Sequence, residues 1–109
     1  MLGSFEALLN DYFVSDKPAE RGTLTVAYCA DQLNLSANYF GDLIKKETGV
    51  SAQEYILTKT MDRAKELLTD PAKSVGDVAY ALGYQYPQYF SKAFKRVVGC
   101  SPNEYRTLS

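Results

Sequence analysis

The sequence contains no histidine. That removes Ser-His and Cys-His nucleophile pairs and most zinc-site patterns together, because each needs an imidazole as base or ligand. It has no glycine-rich loop of the kind that wraps a phosphate in backbone N–H groups. Cysteines number only two, Cys29 and Cys100, far apart in the chain. Each stands where an apolar residue would suit a helix or its end, so they read as buried free thiols in a reducing compartment, not a disulfide framework. No apolar run approaches the ~20 residues of a membrane-spanning helix. The opening MLGSFEALLNDYF has no basic n-region and carries Glu6 and Asp11, unlike a signal peptide. An enzyme is not expected, nor a metal, a cofactor or a membrane partner. Carboxylate chemistry would need paired acids in a pocket, and no spacing here supplies them.

What is present is a chain of 109 residues, one domain by size, with 46% hydrophobic residues to build a core and an ordinary 23% of charged ones. The net charge of −1 hides an asymmetry. Residues 1–72 carry seven basic and eleven acidic side chains, whereas residues 73–109 carry five basic (Lys73, Lys92, Lys95, Arg96, Arg106) and two acidic (Asp77, Glu104). The first part is net negative and the second net positive.

Nearly every segment has helical periodicity. Phe5, Leu8, Leu9, Tyr12 and Phe13 form one apolar stripe, which Pro18 and Gly22 in SDKPAERG interrupt. Val26, Ala30 and Leu33 mark a short second helix. Ser36 offers an N-cap to a third, with Phe40, Leu43 and Ile44 inward and Gly49 at its end. Ser51 and Glu54 have capping-box spacing ahead of a long fourth helix that runs to about Leu68. Ser74 and Asp77 repeat that spacing before a fifth helix lined by Val75, Val78, Ala79 and Leu82. Gly83 allows a turn, Pro87 suits the first turn of a sixth helix, and Phe90, Phe94, Val97 and Val98 form its stripe. SPNE, with Ser101, Pro102 and Glu104, caps a last short helix reaching Arg106. The expectation is an all-α chain of seven helices.

The chain also repeats itself. Tyr39/Tyr89, Phe40/Phe90, Lys45/Lys95, Gly49/Gly99, Ser51/Ser101, Glu54/Glu104 and Tyr55/Tyr105 are each fifty residues apart. Upstream of the turn the offset is forty-nine, at Val26/Val75, Ala30/Ala79 and Leu33/Leu82, so the second turn carries one extra residue. An insertion confined to a turn is what a duplicated helix pair tolerates best.

Two helices joined by a tight turn form the helix-turn-helix arrangement, whose second helix can lie in a DNA major groove. Two copies stand on a spacer from Ala52 to Leu68, about 25 Å long at ~1.5 Å per residue. Successive major grooves recur every ~34 Å, so the copies can address adjacent grooves on one DNA face. Opposite the buried stripes lie Asn38, Gly41, Asp42 and Lys45 in one copy and Gln88, Ser91, Lys92 and Lys95 in the other. Gln88, Ser91 and Lys92 can donate to base edges or phosphates, and Lys95 and Arg96 suit phosphates. The candidate DNA-contacting set is Ser36, Asn38, Asp42, Lys45 and Lys46 from the first copy, and Gln85, Tyr86, Gln88, Ser91, Lys92, Lys95 and Arg96 from the second. Tyr86 suits a phosphate contact and simple packing equally. Tyr39, Phe40, Tyr89, Phe90 and Phe94 read as core at helical spacing, with tyrosine hydroxyls at its rim. Lys59, Arg63 and Lys65, alternating with Asp62 and Glu66, read as an ordinary solvated helix surface, and Glu54 and Glu104 as caps.

VGDVAYALGYQYPQYFSKAFKRVVGCSPNEYR resembles the C-terminal signature of the AraC/XylS-type bacterial transcription regulators. The matching pieces are Ala79, Gly83-Tyr84, Tyr89-Phe90-Ser91, Phe94-Lys95, Gly99, Ser101-Pro102 and Tyr105-Arg106. The likeness extends back through AKELL, KKETG and YCADQLNLS, to cover about residues 5–107. It implies seven helices forming two helix-turn-helix subdomains joined by a long linker helix, over 5–50, 51–69 and 70–107. It also implies recognition helices at about 37–47 and 87–98, binding to promoter DNA, transcriptional activation, contact with RNA polymerase and a cytoplasmic setting. Most members carry a sensing or dimerisation domain ahead of this module, and MLGS suggests an excised fragment or an added start codon. The family often has arginine where Asp42 and Thr60 stand. Both departures weaken the expected phosphate grip of the first subdomain and leave the second to supply most of the electrostatic hold. The alternative from another class is a helical protein-interaction module that docks through its acidic N-terminal half.

Overall fold

The computed structural model describes residues 2–15 and 17–108, and every regular element among them is a helix. In chain order these are α1 (Leu2–Val14), α2 (Lys17–Arg21), α3 (Val26–Gln32), α4 (Ala37–Thr48), α5 (Ala52–Leu68), α6 (Val75–Ala81), α7 (Pro87–Val98) and α8 (Pro102–Leu108). The seven expected helices are there, and α2 is a further single turn inside the stretch read as a break. Pro18 sits in its first turn, where the missing N–H costs nothing, and the Gly22 N–H closes the turn on the Pro18 carbonyl at 2.9 Å. None of the helices is long and apolar enough to cross a membrane among the described residues. The reading of Met1 as an added start codon lies outside the described residues.

Side-chain caps fix most helix starts. The hydroxyls of Thr25, Ser36, Ser51, Ser74 and Ser101 each accept the backbone N–H three residues on, at 3.0 to 3.2 Å. At Ser74/Asp77 and Ser101/Glu104 the carboxylate returns the bond to the cap's own N–H. Those backbone hydrogen bonds are the largest reason that both carboxyls are held below their ordinary values. Ser51/Glu54 departs from the expected box: Ser51 accepts from the Glu54 N–H, but the Glu54 carboxylate is held by Arg96 instead. Two helices, α4 and α7, end on left-handed glycines, Gly49 and Gly99, at φ 82° and 100°.

The core forms two clusters. Phe5, Leu9, Tyr12, Cys29, Ala30, Phe40 and Ile44 gather in the first; Val78, Ala79, Leu82, Phe90 and Phe94 gather in the second. Helix α5 serves both, giving Ala52 and Ile56 to the first and Met61, Ala64 and Leu68 to the second. Thr60 falls between them, only 5% exposed, and its hydroxyl donates to the Ile56 carbonyl at 2.8 Å. This corrects the reading of position 60 as part of the phosphate-facing surface: it points inward. Aromatic edges tighten each cluster, with Phe5 on Phe40 at 4.9 Å and Phe94 on Tyr105 at 5.7 Å between ring centroids. Cys29 is fully buried, and loss of solvent pushes its thiol up to about 12, so it is a core filler. Cys100 is only half-buried, less enclosed than its position suggested, and both thiols are free.

The two halves meet at a seam where backbone touches backbone. Gly83 has φ 94°, and a methyl group there would lie 2.3 Å from the carbonyl carbon and oxygen of Gly22 and 2.6 Å from the Thr23 nitrogen. The buried Tyr12 anchors the other side of this contact, its hydroxyl donating to the Gly22 carbonyl at 2.6 Å. Gly83 thus answers two demands, a left-handed turn and an approach that leaves no room for Cβ. Gly83→Ala should lower urea-unfolding stability by about 2–4 kcal/mol, because rigid backbone must move. Gly99→Ala, with φ 100° but open space around it, should lose only about 1 kcal/mol. Equal losses would show that the close approach contributes nothing.

Candidate nucleic-acid interface

The duplicated helix pairs turn by the same hydrogen bonds. In the first, the N–H groups of Leu33, Asn34 and Leu35 donate to the carbonyls of Ala30, Asp31 and Ala30. In the second, those of Leu82, Gly83 and Tyr84 donate to Ala79, Tyr80 and Ala79. Asn34, at φ 59°, stands where Gly83 stands. After Leu35 and Tyr84 the chains part: Ser36 caps α4 directly, whereas Gln85 precedes Tyr86 at the cap of α7. The extra residue of the second turn is therefore Gln85, exposed at its corner. Tyr86 gives α7 no side-chain cap, and Pro87 at the first position removes the need for one donor partner.

Helices α4 and α7 bury Phe40 and Ile44, Phe90 and Phe94, and turn the opposite ridge to solvent. Asn38, Asp42, Lys45 and Lys46 are exposed on the first; Gln88, Lys92, Lys95 and Arg96 are exposed on the second. Gly41 and Ser91 are half-buried at matching positions, so the two ridges repeat in exposure as well as in sequence. Ser36 is exposed but its oxygen is engaged as a cap. Tyr39 and Tyr89 differ from expectation. They are 55% and 60% exposed, on the outer surface of the first turn and not in the core. They stand one position ahead of the buried phenylalanines, and the direction in which the helices pack leaves them outside. Tyr86 is also exposed and meets Tyr89 edge to face at 5.6 Å.

The charges are not equally available. Arg96 donates to the Glu54 carboxylate at 3.3 Å, tying the last turn of α7 to the first turn of α5. Arg106, counted among the basic side chains of the second half, turns inward. Its guanidinium donates to the carbonyls of Leu68, at 3.2 Å, Asp70 and Lys73, and so clamps the end of α5 and the turn after it. Lys59 pairs with Glu6 of α1 at 3.6 Å, and the Tyr55 hydroxyl donates to the same carboxylate at 2.7 Å. That bond is the largest cause of the lowered Glu6 value, while burial, with the Glu6 bond, pushes Tyr55 up to about 12. Sequence spacing marked none of these three, because their partners lie between 33 and 53 residues away. In contrast, Lys45, Lys46, Lys92 and Lys95 have no ion pair among the described residues. Nor do three or more metal-ligating side chains converge there.

Residues 29–107 match a helix-turn-helix domain family. The chain is similar to the Msm operon regulatory protein of Streptococcus mutans, 38% identical over 84 residues, which are 77% of this chain and 30% of that protein. Among solved structures it resembles the C-terminal domain of AraT, a response regulator from Geobacillus stearothermophilus. The identity is 31%, the TM-score 0.81, and the match covers 97% of this chain and 83% of that one. Its fold is also that of the DNA-binding domain of AdpA, solved with a target DNA. There the TM-score is 0.79 at 24% identity, over 98% of this chain and 90% of that one. The chain spans about a third or less of the length of the curated relatives it matches.

The Arg96–Glu54 pair is well formed but wet, with the two side chains 60% and 51% exposed. A double-mutant cycle through Glu54→Gln and Arg96→Gln should give a coupling of about 0.2–1 kcal/mol at low salt. It should fade toward about 1 M salt, where screening acts within ~3 Å. Zero coupling at low salt would mean that Arg96 is free to serve elsewhere.

Proposed function

The chain belongs to the AraC-type helix-turn-helix family of transcription regulators, and on that footing we propose that it binds double-stranded promoter DNA sequence-specifically, with α4 and α7 in successive major grooves. The observation that carries this reading is the repeated solvent-facing ridge, Asn38/Gln88, Asp42/Lys92 and Lys45/Lys95, held on opposite ends of one uninterrupted helix. Helix α5, at 17 residues, spans about 25 Å, and the molecule is 40 Å along its longest axis. Those lengths suit readers that must meet grooves ~34 Å apart.

In this reading the lysines neutralise phosphates and set the register, while the polar side chains read base edges. Asn38 and Gln88 can each donate to and accept from one adenine edge, and Asp42 can accept from a cytosine amino group. Gln85 and Tyr86 flank the entry to α7, and Ser91 and Lys92 continue its ridge. We read residues 5–50 and 70–107 as the two subdomains and 51–69 as their linker, together forming one DNA-binding domain. The family's regulators act by binding rather than by catalysis, and we assign this chain the same role, in the cytoplasm, where promoter DNA lies. The longer relatives leave room for a sensing or dimerisation domain, and RNA polymerase is the natural second partner of an activator.

The electrostatic hold should be unequal. Helix α7 carries Lys92 and Lys95 with no acid on its ridge, whereas α4 carries Asp42 and Glu47 beside its lysines. Selection from random duplex DNA should return two conserved blocks about one helical turn apart. A single block, or no enrichment, would remove the two-groove geometry. On the selected duplex, affinity should fall steeply with salt, with a slope of about −0.9 per neutralised phosphate. Lys92→Ala should cost more affinity than Lys45→Ala, and equal losses would count against the asymmetry. Salt-insensitive retention on a protein surface, with no DNA binding, would favour an interaction module using the acidic N-terminal half.

A further inference from the structure

A groove of about 850 Å³ runs along the seam between the two subdomains. One wall is formed by α2, the Gly22–Thr23 segment and Thr25; the other by Tyr80, the Gly83–Gln85 turn and Tyr89 of α7. The walls belong to different halves but cannot drift apart freely, because Gly83 rests on the Gly22 backbone and Tyr12 holds the Gly22 carbonyl. Its chemistry is one-sided. Among the described residues, no aspartate or glutamate lines this groove. The lining offers the Arg21 guanidinium, the hydroxyls of Thr23, Thr25, Tyr80 and Tyr89, and the Gln85 amide. Arg21 is exposed, lies 5.5 Å over the Tyr28 ring, and has no ion pair among the described residues. A cation set among neutral donors, with no acidic side chain in the described lining, suits a polyanionic chain better than an apolar or cationic ligand.

Position narrows the choice. Gln85 and Tyr89 lie on the turn and first helical turn that also present Gln88. If α4 and α7 occupy successive major grooves, the strands between those grooves must cross the middle of the molecule, where the seam lies. We propose that this groove holds the phosphodiester backbone between the two half-sites, with Arg21 as its cation and Thr23, Thr25, Gln85 and Tyr89 as neutral donors. This rests on the two-groove reading of α4 and α7. Arg21 then acts as a non-sequence-specific clamp, donated by the acidic half of the chain to the stretch of backbone between the two half-sites.

The test uses the 109-residue chain and the duplex recovered by selection from random DNA. Arg21→Gln should weaken binding about 5- to 20-fold at low salt, equally on optimal and mutated half-sites, and reduce the salt slope by about 0.9. Arg63→Gln, which removes the same charge from a separate groove between α1 and α5, should change neither quantity. Neutral methylphosphonates placed between the half-sites should weaken the unaltered protein and have little further effect on Arg21→Gln, whereas Arg21→Lys should restore much of the slope. Circular dichroism melts check that each variant is folded. If the unaltered protein binds the duplex and Arg21→Gln matches it in affinity and slope, the clamp is wrong and the two-groove reading stands. Methylphosphonates that weaken both proteins equally would overturn the clamp in the same way. If the unaltered protein binds no duplex, both fall together.

Discussion

Helix α5 is asked to be buried on one face by two different cores. Ala52 and Ile56 complete the cluster under α4, and Met61, Ala64 and Leu68 complete the cluster under α7, with Thr60 at the changeover. Thr60 can sit there only because its hydroxyl satisfies itself on the Ile56 carbonyl of the same helix. A helix packed along its length cannot bend without opening both clusters, so the distance between the outward ridges of α4 and α7 becomes a property of the core. Small subdomains of this size bury too little apolar surface to be robust alone. Sharing one helix lets each lend the other stability and fixes their geometry in the same step.

The seam adds a second constraint. The Gly22–Gly83 approach, backed by the Tyr12 hydroxyl, joins the loop before the first helix pair to the turn inside the second. With α5 on one side and this contact on the other, two attachments limit rotation of one half against the other, where a single helix would leave a hinge. Arg96–Glu54 spans the halves as well, but its solvent exposure makes it an adjustment to that geometry and not its origin. Arg106 acts locally by comparison, gathering the carbonyls of Leu68, Asp70 and Lys73 at and just after the end of α5.

These contacts change how the charge pattern should be understood. Net charge counts Arg96 and Arg106 with the lysines of the second half, but one is shared with a carboxylate and the other is turned toward backbone. The charge left facing solvent on the outward ridges of α4 and α7 is mostly lysine, a mobile point charge better suited to phosphates than to bidentate contact with a guanine. In the proposed reading, specificity falls to the amide side chains Asn38 and Gln88 and to the shape of the surface around the exposed Tyr39 and Tyr89.

Features set by neighbours within about a turn of helix were legible in the amino-acid order. The serine caps, the helix-ending Gly49 and its counterpart Gly99, the apolar stripes of α4 and α7, and the fifty-residue echo between them all depend on spacing of four residues or fewer, or on direct comparison of two such stretches. The outward ridge followed from the same periodicity, since whatever lies opposite a buried stripe faces water. Tertiary structure alone decided the rest. Tyr39 and Tyr89 carry enough apolar surface to be core, and only the direction of packing sends them outward. Glu54 has capping-box spacing identical to that of Glu104, yet it leaves its cap because folding brings Arg96 to it from 42 residues away. Gly83 looked like a turn residue, and was one, but its closest neighbour is Gly22, which no local pattern connects to it. Local rules determine which helices form and which side they bury; long-range contacts determine which charges remain free, because pairing depends on distances that the order of residues does not contain.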